Sequence, residues 1–212
     1  MSRPSRPPIW TKSSPLSLIF LAFSDLQAGI AADLARAGVA VHLFNQRDIA
    51  GILAMIRTVG ALVGASEKGK QLARTFEERL ARVSEDARAQ PGPRPRVYFE
   101  EWDDPMISGI GWVSELIEIA GGVDVFAHLR GAKAAKDRIV TSEAVREAKP
   151  DVILASWCGK KVVPERIRSR PGWESIPAVA RSRIVEIKSP LILQPGPAAL
   201  TDGLDAVRAA LA

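Results

Sequence analysis

A chain of 212 residues, 47% hydrophobic and 25% charged, has the composition of one globular domain or two small lobes, which excludes a largely disordered protein. Its single cysteine, Cys158, excludes an internal disulfide and thiolate zinc sites, and two histidines leave any metal site dependent on carboxylates. Arg3, Arg6 and Lys12 carry three of the net +5 charges, and the +2 left for the rest of the chain is too little to argue for nucleic-acid binding.

Residues 1–15 hold four prolines among serines and cations and read as a tail outside any core. Leu16–Phe23 (LSLIFLAF) follows. A basic start and a short apolar run have the outline of an export signal, but Phe23-Ser24-Asp25 is a poor cleavage context. The run is also far short of the roughly 18 apolar residues of a membrane span. It reads instead as a buried strand of a parallel sheet. Residues 25–37 are predicted helical, with Leu26, Ile30 and Leu34 on one face and Gly38 as the stop. Val39–Phe44 is the next strand, which completes a βαβ unit.

A long periodic stretch begins at Asp48, a good helix cap, and carries apolar residues from Ile52 to Val83 at helical spacing through about Ala89. One helix of that length would run roughly 60 Å; Gly60, Gly64 and Gly69 allow a kink or close packing. The segment QPGPRP at 90–95 ends it. Beyond, the predicted order is strand 96–100, helix 108–120, short helix 142–148 capped by Thr141 or Ser142, strand 151–156, a helix from Val163, strand 183–187 and a closing amphipathic helix over 197–211. The single βαβ unit at the start is too small to make a stable lobe alone, whereas the region after residue 95 is complete.

Several residues invite a chemical reading. Cys158 ends the strand DVILAS and is followed by Lys160 and Lys161, which would suit an activated thiolate, although nothing marks His128 as its base. Gly109-Ile110-Gly111-Trp112-Val113-Ser114 is a near miss to a dinucleotide fingerprint, with Ser114 in place of the third glycine, and reads more simply as a helix start. Glu100, Glu101, Asp103 and Asp104 form an acidic group expected in a loop just past a strand, either polar surface or facing a ligand. Trp102 and Trp157 both follow strands of the later region, and Phe23 and Phe44 hold the equivalent places in the earlier one, each followed by polar residues. Aromatics gathered at strand ends fit a flat or bulky ligand in a cleft.

The segments AFSDLQAGIAADL, VHLFNQRDIAGIL, YFEEWDDPMISGIGWVSELIEIAGG, RIVTSEAVREAKPDVILASWCGKKV and the closing LDAV helix resemble the cobalamin/iron-chelate class of ABC-importer substrate-binding proteins, and within it the BtuF-like branch, over roughly residues 16–212. The resemblance implies an α/β class III periplasmic-binding-protein fold, with two Rossmann-like lobes joined by one long helix. In those terms residues 1–15 are a tail, 16–47 a partial N-terminal lobe, 48–89 the connecting helix and 96–212 the C-terminal α/β lobe. Relative to the family pattern the first lobe is incomplete at its start and the export signal is missing, as expected of a truncated or mis-started gene product. The resemblance places the protein in the periplasm; without a convincing signal peptide this chain is also compatible with the cytoplasm.

A non-catalytic function follows from the resemblance: binding of cobalamin or a related corrinoid between the lobes as a transported ligand rather than a cofactor, and delivery to an ABC permease and its ATPase by a monomer that binds no nucleic acid. The implied ligand contacts are Phe23, Ser24, Asp25, Gln27, Asn45, Gln46 and Arg47 from the first lobe and Glu101, Trp102, Trp157, Cys158 and Gln194 from the second. Glu143 matches the position that docks on permease arginines; a charge at a helix N-terminus is the simpler account. No metal site is expected. A ferric siderophore or haem is the near rival ligand, a small α/β enzyme using Cys158 or the Glu100–Asp104 carboxylates the rival of another class, and a fragment that binds nothing the third reading.

Overall fold

The computed structural model describes residues 19–24 and 27–212, and within the first strand the side chain of Leu21 alone. The expected tail over 1–15, residues 16–18, Asp25 and Leu26 lie outside the described residues. The chain divides into two compact units, Met1–Asn45 and Gln46–Ala212.

In the first unit, β1 (Ile19–Phe23) and β2 (Ala40–Phe44) pair in parallel from Ile19↔Ala40 to Phe23↔Phe44, with α1 (Ala28–Arg36) as the crossover. The helix ends because Gly38 takes a φ of +82°, and the Gly38 and Val39 N–H groups bond back to the Ala35 and Leu34 carbonyls. Of the expected apolar face, Leu26 lies outside the described residues, Ile30 is 56% exposed and Leu34 is half-buried, and no residue of α1 is buried. One βαβ unit offers a helix too little surface to hide against.

The second unit opens with two helices where one was expected over 48–89. They are α2 (Ile49–Leu62) and α3 (Ser66–Ala89). Asp48 caps α2 as its side chain accepts from the Gly51 N–H at 2.6 Å. Gly64, with φ +72°, ends it: its N–H reaches the Ala61 carbonyl, and the Ala65 N–H reaches the Gly60 carbonyl. The two helices then pack on each other through their glycines. A Cβ on Gly60 would lie 2.9 Å from the Gly69 Cα, so the approach is backbone to backbone. Arg57 pairs with Glu77 across the same hairpin at 2.6 Å.

The sheet of this unit is built around β3 (Arg96–Asp103), which pairs in parallel with β6 (Val152–Ala155), itself parallel to β7 (Ile184–Glu186). On the other edge β3 meets the short strands β5 (Val123–Asp124) and β4 (Met106–Ser108), the latter antiparallel across the Asp104–Pro105 turn, whose peptide bond is cis. Helices α4 (Gly111–Ile119), α5 (Ser142–Ala148), α6 (Pro164–Arg168), α7 (Pro177–Ala180), α8 (Ser189–Ile192) and α9 (Leu204–Leu211) complete it, with a π-helical turn at Ala199–Gly203. Alternation along the strands divides the core. Tyr98, Ile153 and Ala155 face a cluster of Phe126, Val145, Trp157, Ile167 and Trp173, while Val97, Phe99, Val152 and Leu154 are buried on the other side.

The near-fingerprint is structural. A Cβ on Gly111 would sit 2.3 Å from the Arg47 carbonyl oxygen and 3.0 Å from that of Arg130, so backbone already occupies the start of α4. Ser114 is buried and donates to Asp124 in a short hydrogen bond. No space remains there for a dinucleotide phosphate.

Candidate functional site

Parallel α/β sheets gather ligands at the carboxyl ends of their strands. In the first unit, β1 and β2 end side by side, and the chain leaving β1 turns at Ser24, whose φ of +81° is unusual for a residue with a side chain. The Ser24 N–H bonds to the Phe44 carbonyl at 2.8 Å, and Gln27 closes the turn onto the Ser24 carbonyl. Ser24 and Gln27 are half-buried and Asn45 is exposed. Asp25 and the Phe23 side chain lie outside the described residues.

In the second unit the acidic group is not a loop. Strand β3 runs on to Asp103, so Glu100, Glu101 and Asp103 are strand residues, with a register shift between Glu100 and Trp102. Each is held by an arginine or lysine. Glu100 is fully buried; its carboxylate accepts two hydrogen bonds from Arg170, at 2.5 and 3.0 Å, one from Trp157 Nε1 at 3.0 Å and one from the Tyr98 hydroxyl at 3.2 Å. Burial, then the Glu100 charge, pushes the Tyr98 phenol well above its ordinary range. Burial alone would lower the Arg170 guanidinium, but the Glu100 hydrogen bonds and charge outweigh it and raise it. Glu101 accepts a bidentate pair from Arg138, at 2.7 and 3.0 Å, and the Ile110 N–H at 3.0 Å. This arrangement ties Glu101, expected among the ligand contacts, to the scaffold.

Trp157, expected to cover a ligand, is a core residue: it is 1% exposed and its indole N–H is committed to Glu100. A strand-end tryptophan can point outward or inward, and here the buried carboxylate beneath the sheet edge draws the indole in. Trp102 does lie partly exposed, its indole N–H on the Asp104 carbonyl at 2.9 Å. The Lys160 ammonium lies 4.1 Å from its ring centroid and 5.1 Å from that of Trp157. The same ammonium is 2.5 Å from Asp103 Oδ1, and Arg166 is 2.9 Å from Asp103 Oδ2. Cys158 is exposed on the turn between Trp157 and Lys160, where Gly159 takes φ +75°. Elsewhere in this unit the Gln46 amide donates to the Pro195 carbonyl at 3.1 Å, which sets it beside the exposed Gln194, and its Oε1 is buried without a hydrogen-bond partner. Arg47 is half-buried, with its carbonyl against α4. Glu143 is exposed in the first turn of α5, behind the Thr141 cap. Among the described residues no three of His, Cys, Asp and Glu gather closely enough to hold a metal ion.

Arg166 was therefore missing from the residues singled out in the sequence, and Lys160 and Asp103 were singled out only within a basic run and an acidic group, not as ligand contacts. The basic run after Cys158 was a visible signal, but its partner Asp103 is 57 residues earlier.

The charges fix a pH response. Burial raises the Asp103 carboxyl, but the Lys160 hydrogen bond, a backbone hydrogen bond and the charges of Lys160 and Arg166 outweigh it and hold it below the ordinary carboxylate range. A depressed folded-state pKa contributes stability above the unfolded value, and this is lost as pH falls through the folded value. Thermal melts of the wild type and Asp103→Asn should therefore differ most near neutrality and converge in acid, below the ordinary aspartate value of about 3.9. A difference that stays constant with pH would remove Asp103 from this account.

The family described as periplasmic binding protein matches residues 17–191. No curated protein matches the chain. Among solved structures it is similar to the periplasmic heme-binding protein RhuT from a Roseiflexus species, in apo form, with 24% identity and a TM-score of 0.73 over 92% of this chain and 76% of that one. It is similar to the periplasmic vitamin B12 binding protein BtuF of Vibrio cholerae, with 21% identity and a TM-score of 0.63 over 91% and 73%. A third is a protein of an Fe3+-hydroxamate transport system from Saccharomonospora viridis, with 20% identity and a TM-score of 0.68 over 85% and 64%.

Proposed function

The chain belongs to the periplasmic binding protein family, a family of substrate-binding transport proteins, and from that premise we propose that it carries cobalamin or a related corrinoid to an ABC permease. The observation that carries the ligand reading is the partly exposed Trp102 at the carboxyl edge of the second unit's sheet, a flat apolar face bordered by polar and charged groups. The likeness to BtuF of Vibrio cholerae supports it. Proposed contacts are Ser24, Gln27 and Asn45 in the first unit and Gln46, Arg47, Trp102, Cys158 and Gln194 in the second. Glu143, exposed on α5, is proposed to meet an arginine of the permease. The protein acts in the periplasm as a monomer without catalysis, a reading supported by the family and by the pairing of Glu100, Glu101 and Asp103 with arginine or lysine. A second reading, haem or a ferric siderophore, is favoured by the cations Lys160 and Arg166 at the same edge and by the likeness to RhuT.

The test is a calorimetric titration of the full chain with cyanocobalamin, haemin and a ferric hydroxamate. Saturable binding of cyanocobalamin at about micromolar or tighter, weakened about tenfold or more by Trp102→Ala, is the expected result. Haemin or the hydroxamate binding in its place would select the second reading, and a folded chain silent to all three would overturn both.

A further inference from the structure

The carboxyl edge of the second unit's sheet carries a charge imbalance. Asp103, its side chain 3% exposed, meets two cations, Lys160 on one oxygen and Arg166 on the other. Neither cation is used up. The Lys160 ammonium has three N–H donors and is 37% exposed; the Arg166 guanidinium has five and is 58% exposed. The buried carboxylate acts as an anchor for both heads, and the cluster of Asp103, Lys160 and Arg166 taken by itself carries one net positive charge. That charge is not spread over a flexible surface. It is held against two indoles, with Lys160 4.1 Å from the Trp102 centroid and Arg166 5.4 Å from that of Trp157.

We infer that Lys160, beside the Trp102 ring, and Arg166, beside that of Trp157, form an anion subsite, which takes a phosphate or carboxylate oxygen of the ligand while Asp103 holds both cations in place. The inference rests on the solute-binding reading and narrows it to ligands that carry an anionic oxygen next to a flat apolar face. Two fixed donors that lose little freedom on binding favour such a group over a neutral one of the same shape. The two sources of that oxygen are a phosphodiester, as in the nucleotide loop of a cobalamin, and a carboxylate, as in the propionates of haem.

The experiment pairs each anionic probe with an uncharged or phosphate-free counterpart, using the full chain: 1-pyrenecarboxylate against its methyl ester, haemin against its dimethyl ester, and cyanocobalamin against dicyanocobinamide. For the pyrene pair the acid is expected to bind about tenfold tighter than the ester. In Lys160→Met/Arg166→Met that advantage disappears while ester binding is unchanged. Because the double variant leaves the buried Asp103 carboxylate unpaired, a triple variant with Asp103→Asn added preserves folding and must show the same loss. Equal binding of acid and ester by the wild type, no binding of the acid, or equal weakening of both by the variants overturns the subsite. The macrocycle pairs separate the sources: a preference within the cobalamin pair that Lys160→Met/Arg166→Met abolishes assigns the phosphate, and one within the haem pair that it abolishes assigns the carboxylate. If no macrocycle binds but the pyrene preference holds, the ligand reading fails and the subsite stands. If macrocycles bind without regard to charge, the reverse is true.

Discussion

Arg170→Ala should destabilise the second unit by about 3–5 kcal/mol, because it leaves the carboxylate of Glu100 buried with no opposing charge. Glu100 has no solvent exposure and Arg170 is 16% exposed, so water cannot replace the lost guanidinium. The remaining donors, Trp157 Nε1 and the Tyr98 hydroxyl, are neutral and already in place. The pair itself need not stabilise much in net terms, since both groups were taken out of water to form it. The informative companion is therefore Glu100→Leu with Arg170→Met. Removing both charges and filling the space should recover part of the loss, because what then remains unpaired is two neutral donors, Trp157 Nε1 and the Tyr98 hydroxyl, rather than a buried charge. Urea denaturation of the three proteins reads this directly. A cost below about 1 kcal/mol for Arg170→Ala would mean that the carboxylate rehydrates or protonates cheaply, and that the pair is not the structural centre of this edge.

Trp157→Ala is expected to cost a similar amount, about 3–5 kcal/mol, by opening a cavity in the cluster with Tyr98 and Trp173 and by removing a donor from Glu100. Trp102→Ala, on a half-buried ring whose indole N–H meets only a turn carbonyl, should change stability by much less and act on ligand affinity instead. Trp102 lies at the end of β3 and Trp157 just past the neighbouring β6, and the two look alike in the sequence, so the contrast is a sharp one. Melting temperature and titration on both variants separate them. If Trp157→Ala melted like the wild type and lost ligand, the indole would have to face outward, against the hydrogen bond it makes to Glu100.

Much of the architecture was legible. The βαβ order of the first unit, the capping of α2 by Asp48 and of α5 by Thr141, and strands 96–100, 151–156 and 183–187 are local patterns, set by side-chain spacing and by the few residues that satisfy helix ends. The division of 49–89 into two helices was less legible. Apolar periodicity continues on both sides of Gly64; the hydrogen bonds from Gly64 and Ala65 end α2, and the contacts of Gly60 with Gly69 and of Arg57 with Glu77 show that the chain turns back there. The strands β4 and β5, of three and two residues, are too short to leave a pattern and exist because β3 offers them an edge.

At the site the division is the same. The sequence by itself determined that aromatic, acidic and basic residues would gather after parallel strands, because strand order and residue type are written locally. It carried the family resemblance as well, and with it a solute-binding role. Tertiary structure alone decided what each of those residues does. Glu100 and Arg170 are 70 positions apart, Glu101 and Arg138 are 37, and Asp103 and Lys160 are 57. Which acid is buried against which cation, and hence which tryptophan is drawn into the core and which stays partly exposed, follows from desolvation of charges. That cost is set by the packing of elements distant in the chain and has no local signature.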